Sequence, residues 1–297
     1  MQIKFKSDMN FSYGVSTNLS NKVRRIIAKN PSNFTLHGTG TYIIGKGDVA
    51  IIDPGPDDDE HINSILNELK NENVTHIFVT HTHKDHSSAA NKLHNLTKAP
   101  LYGFGKHRKK IDNKLPLVEE GADYEFSPNI KVRDNNIFEG ETWKLRAIHT
   151  PGHTSNHLCY ELIEEKTLFS GDHLMGWSTT VISPPDGSME DYLKSLKKLL
   201  DFSFDICWPT HGPSISNIKE FIKLVINHRI KRENQILKSL KSTDKIIDIV
   251  KKLYKDKDPA LYPAASQSIL AHLIYLVDKK IVTSENNPSI NSKFTLL

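Results

Sequence analysis

Four side chains of the types that bind metal ions fall within six consecutive residues of this chain. They are His81, His83, Asp85 and His86, and they follow an apolar β-like stretch that ends at Thr80. Alternate side chains of extended backbone share a face, so His81 and His83 can reach one cation. Asp85 and His86 open a helical pattern and can turn toward a second cation. Crowded histidines would repel one another if charged, and a metal ion binds them in their neutral form. The cluster therefore predicts a metal centre.

Three more candidate ligands follow later strand-like stretches. His153 comes after a stretch that ends at residue 148, Asp172 after residues 167–169, and His211 after residues 205–208. Each has a glycine as its immediate neighbour, which allows the backbone to approach other groups closely. Loops at one end of a sheet can converge on a single site. We therefore expect all seven residues to meet at one metal centre.

The first two thirds of the chain alternate between strand and helix patterns, which is typical of a layered α/β architecture. Short β-branched runs bounded by turn residues predict strands at 42–45, 49–53, 74–80, 142–148, 157–163, 167–169 and 205–208. Apolar residues at helical spacing predict helices at 59–71, 87–95 and 190–200.

The predicted secondary structure changes after Pro213. Helical patterns cover residues 217–241, 246–254 and 266–276, and residues 281–297 return to strand and turn character. Helices followed by a short polar hairpin fit a winged-helix module. We predict a catalytic domain over residues 1–241, including a connecting helix at 217–241, and a winged-helix-like domain over residues 242–297.

The composition of the sequence limits which classes of protein it can belong to. The sequence contains no uninterrupted apolar run of the length a membrane span needs, and its start lacks the apolar core of a secretory signal. Two cysteines, Cys159 and Cys207, are too few for a disulfide framework or a cysteine-based metal site, and we expect buried thiols. These features predict a cytoplasmic protein without a membrane partner.

Charge is distributed unevenly along the chain. Residues 214–297 carry 15 Lys and Arg against 8 Asp and Glu, a balance of +7, whereas the whole chain carries +4. A further basic cluster comprises residues 106–110 and Lys114. Both features are compatible with an anionic partner, and a lysine-rich solvated surface is the alternative explanation.

The seven candidate ligands, in this order, resemble those of the metallo-β-lactamase superfamily. The resemblance implies a four-layer αββα sandwich with two zinc ions at one edge; manganese or iron are the alternatives. By the same resemblance His81, His83 and His153 would hold the first ion, Asp85, His86 and His211 the second, and Asp172 would bridge them. Asp53, after a strand-like stretch, would support the ligands from behind.

Two cations that share a water lower its pKa, so that a bridging hydroxide is available near neutral pH. Asp85, with one oxygen on a metal ion, can accept a hydrogen bond from this hydroxide and orient it. We therefore expect a di-zinc metallohydrolase in which Asp85 is catalytic.

The flanking motifs resemble the β-lactamase-like endoribonuclease subfamily, which carries a C-terminal winged helix. They lie at residues 33–42, 150–154 and 170–172, and at His228-Arg229 and Arg232-Glu233. The resemblance implies cleavage of single-stranded RNA. Two alternatives stay open at this point. One is a thioesterase resembling glyoxalase II, or another hydrolase of small acyl substrates, and the other is a nucleic-acid-binding regulator with a vestigial metal site. The sequence leaves the oligomeric state undetermined.

Overall fold

Two β-sheets form the centre of the N-terminal part of the chain in the computed structural model, which describes residues 3–108 and 121–297. The first sheet has seven strands in the order β1 to β7: Thr17–Asn18, Val23–Ile27, Gly40–Ile44, Asp48–Ile52, Asn73–Phe78, Leu101–Gly103 and Ile130–Lys131. The second has the order β12-β11-β10-β9-β8, where β8 to β12 are Ile137–Glu139, Lys144–His149, Leu158–Leu162, Thr167–Phe169 and Ile206–Trp208.

The period-two alternation of the strands determines how the layers pack. In β4, Val49 and Ile51 face the core on the outer side of the first sheet, whereas Ala50 and Ile52 face the second sheet. In β10, Tyr160 likewise faces the first sheet. Because both faces of each sheet are apolar, each sheet needs a covering layer on its outer side.

Helices supply these outer layers. Helices α1 (Asp59–Glu68) and α3 (Ala90–Thr97) cover the first sheet, with α2 (Lys84–Ser87) leading into α3. Helices α4 (Met189–Leu199) and α5 (Ile218–Leu240) cover the second sheet. Cys159 and Cys207 are fully buried under α4 and α5, as predicted for thiols in strands. The αββα order of layers predicted from the resemblance is confirmed.

The candidate ligands lie at strand ends because of the strand directions. β4 pairs with β5 in parallel, and β11 pairs with β12 in parallel. Hydrogen bonds then join the loops of the two sheets: the Tyr42 hydroxyl donates to the carbonyl of Pro209 over 2.6 Å, and the Leu158 amide donates to that of Thr80 over 2.7 Å. The loops after β4, β5, β9, β11 and β12 therefore converge at one edge of the sandwich.

The C-terminal module contains α6 (Ile246–Leu253), α7 (Tyr262–Asp278) and a hairpin of β13 (Val282–Ser284) and β14 (Phe294–Leu296). Its core also contains Ile236 and Leu240 from the end of α5. The connecting helix thus packs into both cores, and the predicted domain boundary near Ser242 stays a prediction.

Among the residues that the structure describes, one helix is long and apolar enough for a membrane span by length and mean hydropathy, although polar residues interrupt its apolar run. It covers Pro259–Asp278, with a mean hydropathy of 1.3, and 56% of its window is buried inside the protein. A core helix of a folded module passes the same test, and α7 supplies much of the core of the C-terminal module. The absence of a membrane partner and the location in the cytoplasm stay predictions.

Some elements differ from the sequence-based prediction. The sequence predicted one helix at 87–95, and the structure has two helices in this region. The short helix α2 at Lys84–Ser87 comes first, and α3 follows at Ala90–Thr97. The strands β1, β2, β6, β7 and β8 were missed, and β1 and β7 have only two residues each. β6 and β8 have only three residues each, so their hydrophobic periodicity is too short to read. In β2, Arg24 and Arg25 interrupt the apolar pattern; the buried Arg25 guanidinium lies over the ring of Trp208 at 5.3 Å.

Candidate metal centre

Three histidine nitrogens form the first group of candidate ligands. His83 Nδ1 lies 3.1 Å from Nε2 of His81 and 3.1 Å from Nε2 of His153. His81 and His83 come from the loop after β5, and His153 comes from the loop after β9. The structure therefore brings together the three residues that the resemblance assigns to one cation.

The second group combines one carboxylate with two imidazoles. Asp85 Oδ2 lies 3.1 Å from His211 Nε2 and 3.5 Å from His86 Nε2. Asp85 and His86 occupy the short helix α2, whereas His211 follows β12 of the other sheet. This group also matches the set predicted for one cation.

Asp172 lies between the two groups. Its Oδ2 is 3.5 Å from Nε2 of His86 and 3.8 Å from Nε2 of His153, and its Oδ1 is 3.5 Å from Nε2 of His211. Asp172 thus approaches a histidine of each group, which is the geometry a bridging carboxylate requires.

The residues present fit a pair of divalent ions. Two ligands on one tetrahedral zinc ion, each at about 2.0–2.1 Å, are separated by about 3.3 Å. The nitrogen and oxygen atoms described above are 3.1–3.5 Å apart within each group. In addition, His86 Nε2 and Asp172 Oδ1 are buried and lack a hydrogen-bond partner among the described residues. Buried polar atoms are rarely left unpaired, so these two atoms fit the ligand positions of a cation.

The histidines of the first group favour the neutral form. Burial lowers the pKa of His81 and His83 well below the ordinary value, and neighbouring histidines lower it further. Burial also lowers the pKa of His153. A neutral imidazole has the lone pair that a metal ion needs.

Carboxylates dominate the electrostatics of the second group. Burial alone would lower the pKa of His86, but Asp85, Asp172 and Asp53 raise it well above the ordinary value. Burial also opposes ionisation of Asp172, yet His211 and His86 hold the pKa of its carboxyl well below the usual range. Concentrated negative charge of this kind favours a divalent cation over isolated protons.

Asp53 lies behind the candidate ligands and is hydrogen-bonded to one of them, His86. Its Oδ2 accepts hydrogen bonds from His86 Nδ1, Thr80 Oγ1 and Thr210 Oγ1, each over 2.8 Å, and its Oδ1 accepts from the Thr80 amide. It adopts a positive φ of 52°, which is uncommon for a residue other than glycine and is concentrated at functional sites. One carboxylate thereby joins the loops after β4, β5 and β12.

His157 is a site residue that sequence reasoning missed. Its ring stacks on His81 with centroids 5.1 Å apart, and its Nε2 accepts the amide hydrogen of Asp172 over 3.2 Å. A Cβ atom on Gly171 would lie 2.6 Å from that Nε2, so the loop requires glycine there. The sequence did not identify His157 as a site residue because it begins an apolar pattern typical of a buried strand. Thr80 and Thr210 were missed because threonine is common in strands.

The remaining histidines of interest lie outside the two ligand groups. His149 stacks on Phe104 with centroids 4.0 Å apart, and the buried His173 packs against Tyr192. His228 is half-buried on α5. His107, from the predicted basic cluster, has its ring 6.0 Å from that of His83. Lys109, Lys110 and Lys114 of that cluster lie outside the described residues.

Comparison with known protein families agrees with this geometry. A sequence model of the metallo-beta-lactamase superfamily matches residues 35–211, which span all seven candidate ligands. The chain belongs to the metallo-β-lactamase superfamily. A second model, of the beta-lactamase associated winged helix domain, matches residues 246–287, and the predicted winged-helix module is confirmed. The chain is therefore a hydrolase-type member of this superfamily with an associated winged helix.

Curated members of the superfamily resemble this chain over most of its length. It is 34% identical over 270 residues to a beta-lactamase-like protein 2 homolog of Drosophila melanogaster, covering 86% of this chain and 88% of the relative. The homolog of Caenorhabditis elegans is 33% identical over 261 residues, covering 84% and 82%. An atrochrysone carboxyl ACP thioesterase of Pseudocercospora fijiensis is 29% identical over 225 residues, covering 75% of this chain and 62% of that protein.

Solved structures confirm the fold. A beta-lactamase domain protein from Burkholderia ambifaria superposes with a TM-score of 0.81 at 18% identity, covering 98% of this chain and 96% of that one. A metallo-beta-lactamase family protein from Thermus thermophilus gives 0.77 at 20% identity, covering 94% and 100%. Both cover the sandwich together with the C-terminal module.

Proposed function

We propose that this protein is a zinc-dependent hydrolase that cleaves phosphodiester bonds of single-stranded RNA. The observation that carries the proposal is the position of Asp172, whose two carboxylate oxygens face histidines of both ligand groups. Nucleophilic attack then needs no serine or cysteine, since two bound divalent cations would supply an activated water near neutral pH and polarise the scissile bond. A regulator with a vestigial site would not need all seven ligand positions filled.

The residues of the chain orient the reaction. Asp85 can direct one oxygen to a cation and use the other as a hydrogen-bond acceptor for the attacking water. Asp53 holds His86 through Nδ1 and leaves Nε2 directed at the site. Six of the seven ligand side chains are buried and His83 is half-buried, which limits bulk water and strengthens their electrostatic effect.

Exposed cations beside the site support a polyanionic substrate. Lys84 lies between two ligands of the cluster and is exposed, and Lys106 and Arg108 are exposed on either side of His107. His107 Nδ1 lies 2.9 Å from the hydroxyl of Thr82, which places these two cations near the loop that carries the ligands. Phosphate contacts of this type give affinity without sequence specificity.

A thioester substrate is the second candidate. It is favoured by the similarity to the relatives named as ACP thioesterases. The same ligand set would hold the cations, and the attacked atom would be a thioester carbonyl carbon instead of phosphorus.

The test is cleavage of a short single-stranded RNA by the zinc-loaded protein, with Asp172→Ala assayed in parallel. An acyl thioester assay on the same two preparations separates the candidates. RNA cleavage that is lost in the variant would support the proposal. Thioester hydrolysis lost in the variant, without RNA cleavage, would replace it with the second candidate.

A further inference from the structure

Arg229 is a buried cation at the middle of α5, outside both ligand groups. It is 2% exposed, and its Nη2 donates a hydrogen bond to the carbonyl oxygen of Thr180 over 2.5 Å. Its guanidinium carbon also lies 5.1 Å from the centre of the Tyr192 ring. Burial of a permanently charged side chain costs free energy, so the buried position of Arg229 requires a structural reason.

Both residues that Arg229 contacts, Thr180 through its main-chain carbonyl and Tyr192 through its ring, bind the loop that carries Asp172. The hydroxyl of Thr180 donates to the carbonyl oxygen of Asp172 over 2.7 Å and lies 3.1 Å from that of His173. The Tyr192 hydroxyl donates to the carbonyl oxygen of His173 over 3.0 Å. Two hydroxyls therefore hold the loop backbone directly after the candidate bridging residue, and Arg229 contacts the main-chain carbonyl of Thr180 and the ring of Tyr192.

Arg229 also lies where the two domains meet. Toward the start of α5, Ile222 and Val225 belong to the core beneath the second sheet, whereas Ile236 and Leu240 belong to the core of the C-terminal module. Ala271 of α7 packs into the core beneath the second sheet. The position of Arg229 therefore depends on how α5 packs against both cores.

We propose that Arg229 is a positioning residue for the metal centre. It holds Thr180 and Tyr192, which fix the backbone around Asp172 and thus the direction of the bridging carboxylate. This inference rests on the proposed metal centre. It assigns a role to Arg229 of the motif formed by His228-Arg229 and Arg232-Glu233. Groups that orient the ligands of a metal ion affect its binding about 10–100-fold.

The experiment measures zinc affinity of the full-length metal-free protein by competition with a chelator, together with its unfolding by urea. Thr180→Val keeps the shape of the side chain and removes the hydroxyl, and Thr180→Ser keeps the hydroxyl. Arg229→Met removes the guanidinium. Arg232→Met, one turn along the same helix, removes a guanidinium that lies 4.5 Å from the Tyr254 ring in the C-terminal module.

We expect Thr180→Val and Arg229→Met to weaken zinc binding about 10–100-fold, whereas Thr180→Ser and Arg232→Met bind zinc as the wild type does. Should Arg229→Met fail to fold, the two Thr180 variants carry the test. Thr180→Val and Arg229→Met proteins that lose stability but keep the zinc affinity of the wild type would overturn the inference. A wild-type protein that binds no zinc would overturn the metal centre as well.

Discussion

His86 donates the hydrogen of its Nδ1 to Oδ2 of Asp53 over 2.8 Å, and both side chains are completely buried. The carboxylate can only accept, so this contact fixes the proton of the neutral ring on Nδ1 and leaves the lone pair on Nε2. Nε2 is the atom that faces Asp85 and Asp172. Asp53, which lies 33 positions earlier in the chain, therefore determines which ring nitrogen of His86 is directed at a cation.

Replacement of Asp53 by asparagine tests this relationship. The amide group cannot accept all four hydrogen bonds that the carboxylate accepts, so His86 loses its fixed orientation. We expect zinc affinity to fall about 10–100-fold. Asp48→Asn is the matched control, since Asp48 begins the same strand and lies away from the site. Equal zinc affinity in both variants would contradict the assigned role.

Replacement of Asp172 by alanine removes the group shared by the two ligand sets. We expect the variant to bind less than the full complement of metal and to lose hydrolytic turnover, because neither set is then complete. Metal content is measured by elemental analysis of purified protein. An unchanged metal-to-protein ratio would refute the bridging assignment, whatever happens to the activity.

Removal of metal should destabilise the protein. The seven candidate ligands lie close together only in the folded chain, so zinc binds the folded state and not the unfolded one. At a free zinc concentration about 100 times Kd the expected stabilisation is about 2.7 kcal/mol. Thermal unfolding with zinc and with a chelator measures it. Identical melting temperatures would count against a metal centre.

Stability of the metal-free protein should fall in acid, partly because of His272. Burial lowers the pKa of His272 to about 4, below the value of about 6.5 for an unfolded histidine. The unfolded chain then binds the proton first, so stability is full above pH 6.5 and declines as the pH falls toward 4. The contribution of this one residue is about 3 kcal/mol.

Urea unfolding at several pH values checks this expectation. His272→Gln removes the titrating group and should show a shallower loss of stability between pH 6.5 and pH 4 than the wild type. Parallel curves for the two proteins would show that His272 contributes nothing to the acid sensitivity.

The exposed cations beside the site should determine the salt dependence of RNA binding. Alanine at Lys84, Lys106 and Arg108 removes up to three phosphate contacts, each worth about 0.7 in the slope of log affinity against log salt for a single strand. We expect the slope to decrease in magnitude by about 2 in a binding titration.

A matched control uses three exposed lysines at the opposite end of the sandwich, Lys46, Lys70 and Lys166. The alanine variant of these three should keep the wild-type slope. Equal slopes for the two triple variants would place the RNA contacts elsewhere on the protein.

The sequence alone was sufficient to single out the seven candidate ligands that the structure brings together. His81, His83, Asp85 and His86 are close in the chain, so short-range spacing already constrains their side chains to a shared region. The other three candidates could be recognised because each follows a strand pattern and adjoins a glycine; they are His153, Asp172 and His211. The order of layers followed from the resemblance that these residues carry, and the C-terminal module from the change of sequence pattern after Pro213.

Tertiary structure decided how these residues meet. The orientation of His86 depends on Asp53, and the position of Asp172 depends on His157, Thr180 and, through Thr180, on Arg229. Such contacts join residues far apart in the chain, and local periodicity carries no information about which distant side chains become neighbours. They arise only when the two sheets, the outer helices and the C-terminal module pack together, because packing alone fixes the distances between loops of different sheets.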